Sequence, residues 1–321
     1  MSTMTAPSTG LTFTKARGVR KIKNNVAAVL MTLSFVIALV PLVWLLYTVI
    51  SKGAGVVVKS SWWTEDQSGI AADTPGGGAF HAIVGTAEQV ALCAVISVPI
   101  ALLVGIYLVE YGRGIFARVT TFMVDIMTGI PSIVAALFIY ALFVTTLGGN
   151  RAGWLVSLAL VILMVPVIVR TTEEMLRLVP NELREASYAL GVPKWKTIVR
   201  VVIPTALSGL ITGVVLGIAR VAGETAPLLI LVGYARTTNW NMFSNFQGAL
   251  PLMIKDQFTN INTASSGTVT YHLDANGNRV AGAVANYAPD RLWGAALTLI
   301  IIVMGLNLVA RLVGRRSNIS S

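Results

Sequence analysis

An arginine and a glutamate four residues apart, Arg220 and Glu224, interrupt an otherwise uncharged stretch in the string GIARVAGETAPLLI. A guanidinium is permanently charged and offers a planar fork of donors suited to an oxyanion. In mid-membrane it costs roughly 2.5–3.5 kcal/mol on insertion scales, so such a charge faces a cavity or a partner. On one continuous helix an i, i+4 pair shares a face, and Gly223 and Pro227 loosen that helix beside it. Two readings stand. The pair is a self-neutralising ion pair that stabilises packing, or it is a transient anion-holding point in which Glu224 orients Arg220 and limits its grip. Apolar residues would pack a bundle without the desolvation of two charges, which favours the second.

Other chemistries lack their residues. No G-x-x-x-x-G-K-[ST] phosphate loop occurs in the chain. The two histidines, His81 and His272, fall in expected outer loops, and the single cysteine, Cys93, has no second thiol for a disulfide or a metal. No nucleophile stands with a base. The chain is therefore expected to be no enzyme, with no catalytic residue, no metal site and no cofactor of its own.

The elements that must position Arg220 are membrane helices. Of 321 residues, 55% are hydrophobic and 12% charged, against about 45–50% and about 25% in soluble chains, and the mean hydropathy is +0.74. About 20 apolar residues cross a bilayer as a helix that satisfies its own backbone. The pattern predicts an all-α membrane protein with six spans, at 25–50, 82–109, 119–147, 152–169, 204–232 and 292–310. The first apolar run is too long for a signal-peptide core and lacks a clear small-residue cleavage site, so it reads as a retained helix. Glu88 and Asp125 lie within spans 2 and 3, where structural pairing is the expected role for both. Pro99, Pro131, Pro166 and Pro227 are expected to kink their spans.

With both termini inside, the cytoplasmic segments hold 16 Lys and Arg and the outer ones 7. The net charge of +10 thus reports orientation by the positive-inside rule rather than nucleic-acid binding. The organisation expected is a disordered basic N-terminus at 1–24, the first helix at 25–50, a flexible outer loop at 51–81 containing TPGGG, a five-span core domain at 82–313 and a basic tail at 314–321. Within the core lie a cytoplasmic loop at 170–203 and an outer loop at 233–291. The first half of that outer loop, NWNMFSNFQGALPLMIKDQF, could rest along the membrane surface, and the alternation in GTVTYHLDANGNRVAGA on either side of DANGN predicts a β-hairpin.

The cytoplasmic loop reads as helix, turn, helix. Pro180 ends the extension of the fourth span, Asn181 is a candidate N-cap for a helix through Leu190, Gly191 suits a left-handed stop, and Pro193 suits the next helix start. The segment Glu185-Ala186-Ser187, three residues, Gly191, nine residues, then Val201-Val202-Ile203-Pro204 resembles the EAA motif of bacterial ABC importer permeases, with Ser187 in place of an alanine. That resemblance implies the type I permease fold, with a coupling helix that docks on a separate ATPase. Glu185 would offer a carboxylate, small Ala186 and Ser187 would permit close approach, and Gly191 would set the angle.

ARVAGETAPLL, GIPSIVAALFIY and ALPLMIKDQF further resemble segments of the phosphate-specific permease family of PstA type. The resemblance implies inorganic phosphate as cargo, Arg220 and Glu224 on its path, and a plasma-membrane complex. The implied partners are a second permease (PstC type), two copies of a cytoplasmic ATPase subunit (PstB type), which carry the ATP and Mg, and an extracytoplasmic phosphate-binding protein (PstS type). Two rivals remain: a permease for another oxyanion such as sulfate or molybdate, which would share the docking loop, and a secondary ion-coupled transporter, which would not need it.

Overall fold

The computed structural model describes residues 18–265, 270–273, 279–282 and 286–317. The Ser/Thr-rich start, the DANGN turn and the last four residues of the tail lie outside the described residues. The chain divides into two compact units, Met1–Thr48 and Val49–Ser321. The first contributes most of α1 (Gly18–Val57), whose apolar side chains from Val26 to Tyr47 are largely exposed. Such all-round apolar exposure fits a helix whose solvent is hydrocarbon. α1 begins at Gly18 instead of the expected 25, so residues 18–24 are helical rather than disordered; it continues seven residues past the expected end at 50, and a short α2 (Ser60–Thr64) follows.

The second unit is a bundle around α6 (Gly153–Arg177), the most enclosed of its long apolar helices. α3 (Phe80–Ile106) packs along α6, with Cys93, Ala101, Leu155, Ala159, Met164 and Ile168 in one continuous core. Small residues let the backbones approach, as is usual between membrane helices: Gly105 of α3 sits against Thr172 of α6. Ser157 Oγ donates to the Gln89 carbonyl at 2.9 Å. A second core joins Trp62, α11 (Leu250–Ser265) and α12 (Ala288–Ser317). There the Trp62 indole donates to Thr298 Oγ1 at 2.8 Å.

Several expectations need correction. The run at 119–147 is not one helix. α4 (Gly114–Gly129) and α5 (Ser132–Ile139), the latter continuing as a π-helix at Tyr140–Thr146, meet at 104°. Ile130 is extended, at φ −70° and ψ 123°, because the residue before a proline is pushed out of the helical region. α4 starts just past the end of α3, and its Asp125 still reaches Arg170 near the end of α6, so α4 runs across one end of the bundle. Five helices among the described residues are long and apolar enough to span, and six if the bent pair counts as one.

The TPGGG loop is tied down rather than flexible. The buried Arg291 guanidinium donates to the carbonyls of Gly76 at 3.0 Å, Ala71 at 2.9 Å and Thr74. Gly76 and Gly77 supply the left-handed turns, with φ of 96° and 82°. In NWNMFSNFQGALPLMIKDQF, Leu250, Leu252 and Met253 are buried in the cores rather than lying on a surface, whereas Trp240, Phe243 and Phe246 are exposed. The alternating segment does form a hairpin, β1 (Thr270–Leu273) against antiparallel β2 (Arg279–Gly282), with Thr270 opposite Gly282.

A Cβ on Gly85 would collide with the Gly248 carbonyl. Backbone cannot move aside cheaply, so overpacking of about 1–3 kcal/mol outweighs the gain in helix propensity of about 1 kcal/mol. Gly85→Ala should therefore lower the thermal midpoint of the detergent-purified protein, whereas Gly55→Ala, with open space at its Cβ, should leave it unchanged or higher. A fluorescence-detected thermal scan of the two variants measures the difference.

Candidate functional site

Two regions carry the residues singled out by sequence, and they lie at different depths of the bundle. The first is the end of α9 (Ile203–Ala222). This helix runs antiparallel to α6: Gly209 lies against Met175, Gly213 against Thr171, and Gly217 against Ile168 and Met164. One further turn brings Arg220 level with the middle of α6. Val221 and Ala222 are buried, at 2% and 4% exposure, whereas Arg220 is exposed, as are Leu216 and Thr212 one and two turns earlier. Arg220 therefore stands on the side of α9 away from the core. The lower part of that stripe lines a groove of about 760 Å³ formed with Thr171 and Met175 of α6 and Leu308 and Arg311 of α12.

The i, i+4 expectation fails here. α9 ends at Ala222, and α10 (Ala226–Leu231) begins only after Gly223, Glu224 and Thr225. Glu224 thus lies in the break, half-buried, and among the described residues no ion pair joins it to Arg220. The cause is Gly223, whose φ of −96° and ψ of −1° depart from helical values, followed by Pro227 in the first turn of α10, where its missing N–H leaves no bond unmade. Arg151 fixes the far side of the break, its Nε donating to the Ile230 carbonyl at the end of α10 at 2.9 Å. Arg220 is left exposed, with no ion pair to a carboxylate among the described residues.

The other span carboxylates have partners. The buried Gln247 donates to Glu88 and accepts from Gln89 Nε2 at 2.9 Å. Asp125 bridges Arg170, which also holds Glu173 at 2.6 Å.

The second region is the knob after α6, made by α7 (Asn181–Ala189) and α8 (Lys194–Thr197). Gly191 has φ 74°. Its N–H donates to Tyr188 O at 2.9 Å and that of Val192 to Ser187 O at 3.2 Å, the paired closure of a Schellman turn. Glu185, Ala186 and Gly191 are exposed. Ser187 is not: it is 7% exposed, and its hydroxyl bonds Thr197 Oγ1 at 2.8 Å. A buried hydroxyl cannot offer close approach to a partner, so Ser187 instead locks α7 to α8. Asn181 is the first residue of the helix rather than its cap, and its side chain accepts from Arg184 at 3.3 Å.

Around the knob, Leu190 is 83% exposed, Trp195 63% and Tyr188 41%. This apolar rim beside Glu182 and Glu185 is what a protein partner would cover.

Sequence reasoning missed Arg184 and Glu110. Arg184 donates to Glu110 Oε1 at 2.9 Å and 3.2 Å, with side-chain exposures of 13% and 5%. A charge at the end of an apolar run, such as Glu110, was the available signal, but its partner is 74 residues away. Among the described residues no group of three or more His, Cys, Asp or Glu side chains is gathered as for a metal ion.

Residues 97–318 match the profile of the binding-protein-dependent transport system inner membrane component. The phosphate transport system permease protein PstA of Mycobacterium leprae (strain TN) is 52% identical over 289 residues, covering 90% of this chain and 88% of that protein. PstA 1 of Mycobacterium tuberculosis (strain ATCC 25618 / H37Rv) is 50% identical over 294 residues, covering 92% and 88%. The PstA of Yersinia pestis is 42% identical over 216 residues, covering 67% and 72%. In fold, the chain is similar to an inward-facing MetNI methionine ABC transporter structure, with a TM-score of 0.51 at 19% identity over 74% of this chain and 96% of that one. The profile match over more than half of the chain and the identities to relatives covered over most of their length lead to one conclusion: this chain belongs to the family of binding-protein-dependent transport system inner membrane components.

Proposed function

We propose that this chain is the permease subunit of an ABC importer that passes inorganic phosphate through the membrane, with Arg220 as its transient point of attachment. The observation that carries the reading is Arg220 itself, exposed at mid-depth of the bundle on the outward stripe of α9, with no ion pair to a carboxylate among the described residues. A guanidinium there must face a partner or a wet path rather than lipid, and its donor fork suits a phosphate oxygen pair. The relatives named for phosphate transport support the choice of cargo. Thr171, Ser208 and Thr212 give the groove below Arg220 hydroxyl groups on the knob side. Glu224, in the break, supplies a negative charge four residues along the chain that keeps the anion's hold short.

In this reading both termini are cytoplasmic, as the Lys and Arg distribution argues, and the knob faces the cytoplasm. A second permease completes the path opposite α9. Two copies of a separate ATPase subunit, holding ATP and Mg, receive the knob through Glu185, Ala186, Leu190 and Trp195, and an extracytoplasmic binding protein delivers phosphate at the opposite end. This chain supplies no hydrolytic chemistry.

Arg220→Ala should reduce labelled-phosphate uptake by the assembled complex roughly ten- to hundredfold, the worth of a charge-assisted hydrogen bond, while ATPase subunits still co-purify and basal hydrolysis persists. Uptake at the wild-type rate would remove Arg220 from the path. Excess sulfate or molybdate should leave phosphate uptake in the wild type intact, and effective competition would shift the cargo to a broader class of oxyanions.

Gly191 holds a φ that proline cannot adopt. Gly191→Pro should therefore cost roughly tenfold or more in ATPase co-purification, as loss of an interface hot spot does, without lowering the amount of chain in the membrane.

A further inference from the structure

The knob is covalently continuous with α6 through residues 178–180 and with α9 through the π-helix Ile198–Val202. It has no direct chain connection to α3. Yet one residue at the end of α3 is gripped by both helices of the knob. The Glu110 carboxylate accepts two bonds from Arg184 of α7, and its backbone carbonyl accepts from Lys194 Nζ of α8. The Lys194 ammonium also lies over the ring of Tyr111, 4.6 Å from its centre.

The Arg184 guanidinium is equally shared. Besides Glu110, it donates to the carbonyls of Val179 at 2.7 Å and Leu176 at 2.9 Å, at and just past the end of α6. Its own helix, the end of α6 and the end of α3 thus converge on one planar group. Glu110 sits in a π-helical turn, Tyr107–Tyr111, a local widening that recurs at functional positions.

We propose that the Glu110–Arg184 pair is the joint through which the knob moves α3, so that α3 follows the docked ATPase together with α6 and α9. The proposal rests on the docking role assigned to the knob above. Coupling over distance needs contiguous contacts. From Glu110, α3 runs as one helix along α6 and, near its other end, meets the Gln247 segment at Glu88 and Gln89. Glu110 and Arg184 are positioning residues: they touch no cargo and face away from solvent.

The test uses the complete complex in vesicles, with phosphate uptake and ATP hydrolysis measured on the same preparation. Glu110→Gln keeps the side-chain volume and removes the charge. It should lower phosphate moved per ATP about tenfold while hydrolysis stays within about twofold of wild type. Glu110→Asp, which keeps the charge facing Arg184, should retain at least half of the wild-type ratio. An unchanged ratio in Glu110→Gln would overturn the joint, and so would a parallel fall of uptake and hydrolysis, which marks plain loss of assembly. The underlying docking assignment is read separately, from whether the wild-type complex couples hydrolysis to uptake at all.

Discussion

A guanidinium at mid-depth of an apolar bundle has to be met by something other than hydrocarbon, and much of the described structure can be understood from how that demand is handled. Arg220 does not collapse onto a neighbouring carboxylate. The helix carrying it ends two residues later, at Ala222, and the break at Gly223 moves Glu224 out of the i+4 position that would have neutralised it. A continuous helix would have turned the two charges into a structural ion pair. The broken one leaves a cation outward-facing, which is of use only where an anion or a partner subunit comes to it.

The rest of the bundle supplies rigidity on either side of that charge. Close packing of α3, α6 and α9 through Gly105, Gly213 and Gly217 leaves little slack, and interiors packed at this density pass displacement on rather than absorb it. At one end Arg291 and Gln247 tie loops down by their carbonyls and amides. At the other, Arg184 and Glu110 tie the knob to two helix ends. Removing one partner of so enclosed a pair would strand a charge, at a cost of about 3–5 kcal/mol. So tied, the knob is positioned to pass a displacement to the helices it touches.

What was legible in the sequence follows from which physics is local. Hydropathy marked the membrane helices because insertion depends on a window of about 20 residues. Gly191 and Pro193 marked the turn of the knob because a left-handed residue and a fixed φ are properties of single positions. The hairpin was marked by alternation. Pro131 and Gly223 marked points of weakness, but a hydropathy window averages across them and could not show a 104° bend at one or a complete helix break at the other. Nor could spacing along the chain find pairs closed by tertiary contact: Arg184 with Glu110, Arg291 with the TPGGG loop, or Ser187 turned inward to Thr197. These depend on which helix ends meet, and no single segment carries that information.

The most direct measurement of the central claim restores charge at one position by chemistry. In a Cys93→Ala background, Arg220→Cys would be treated in assembled, phosphate-transporting vesicles with thiol reagents of matched size, one carrying a cation and one neutral. The account predicts that the cationic adduct recovers a substantial part of phosphate uptake and the neutral one does not. Failure of position 220 to react, or equal uptake with both adducts, would contradict it.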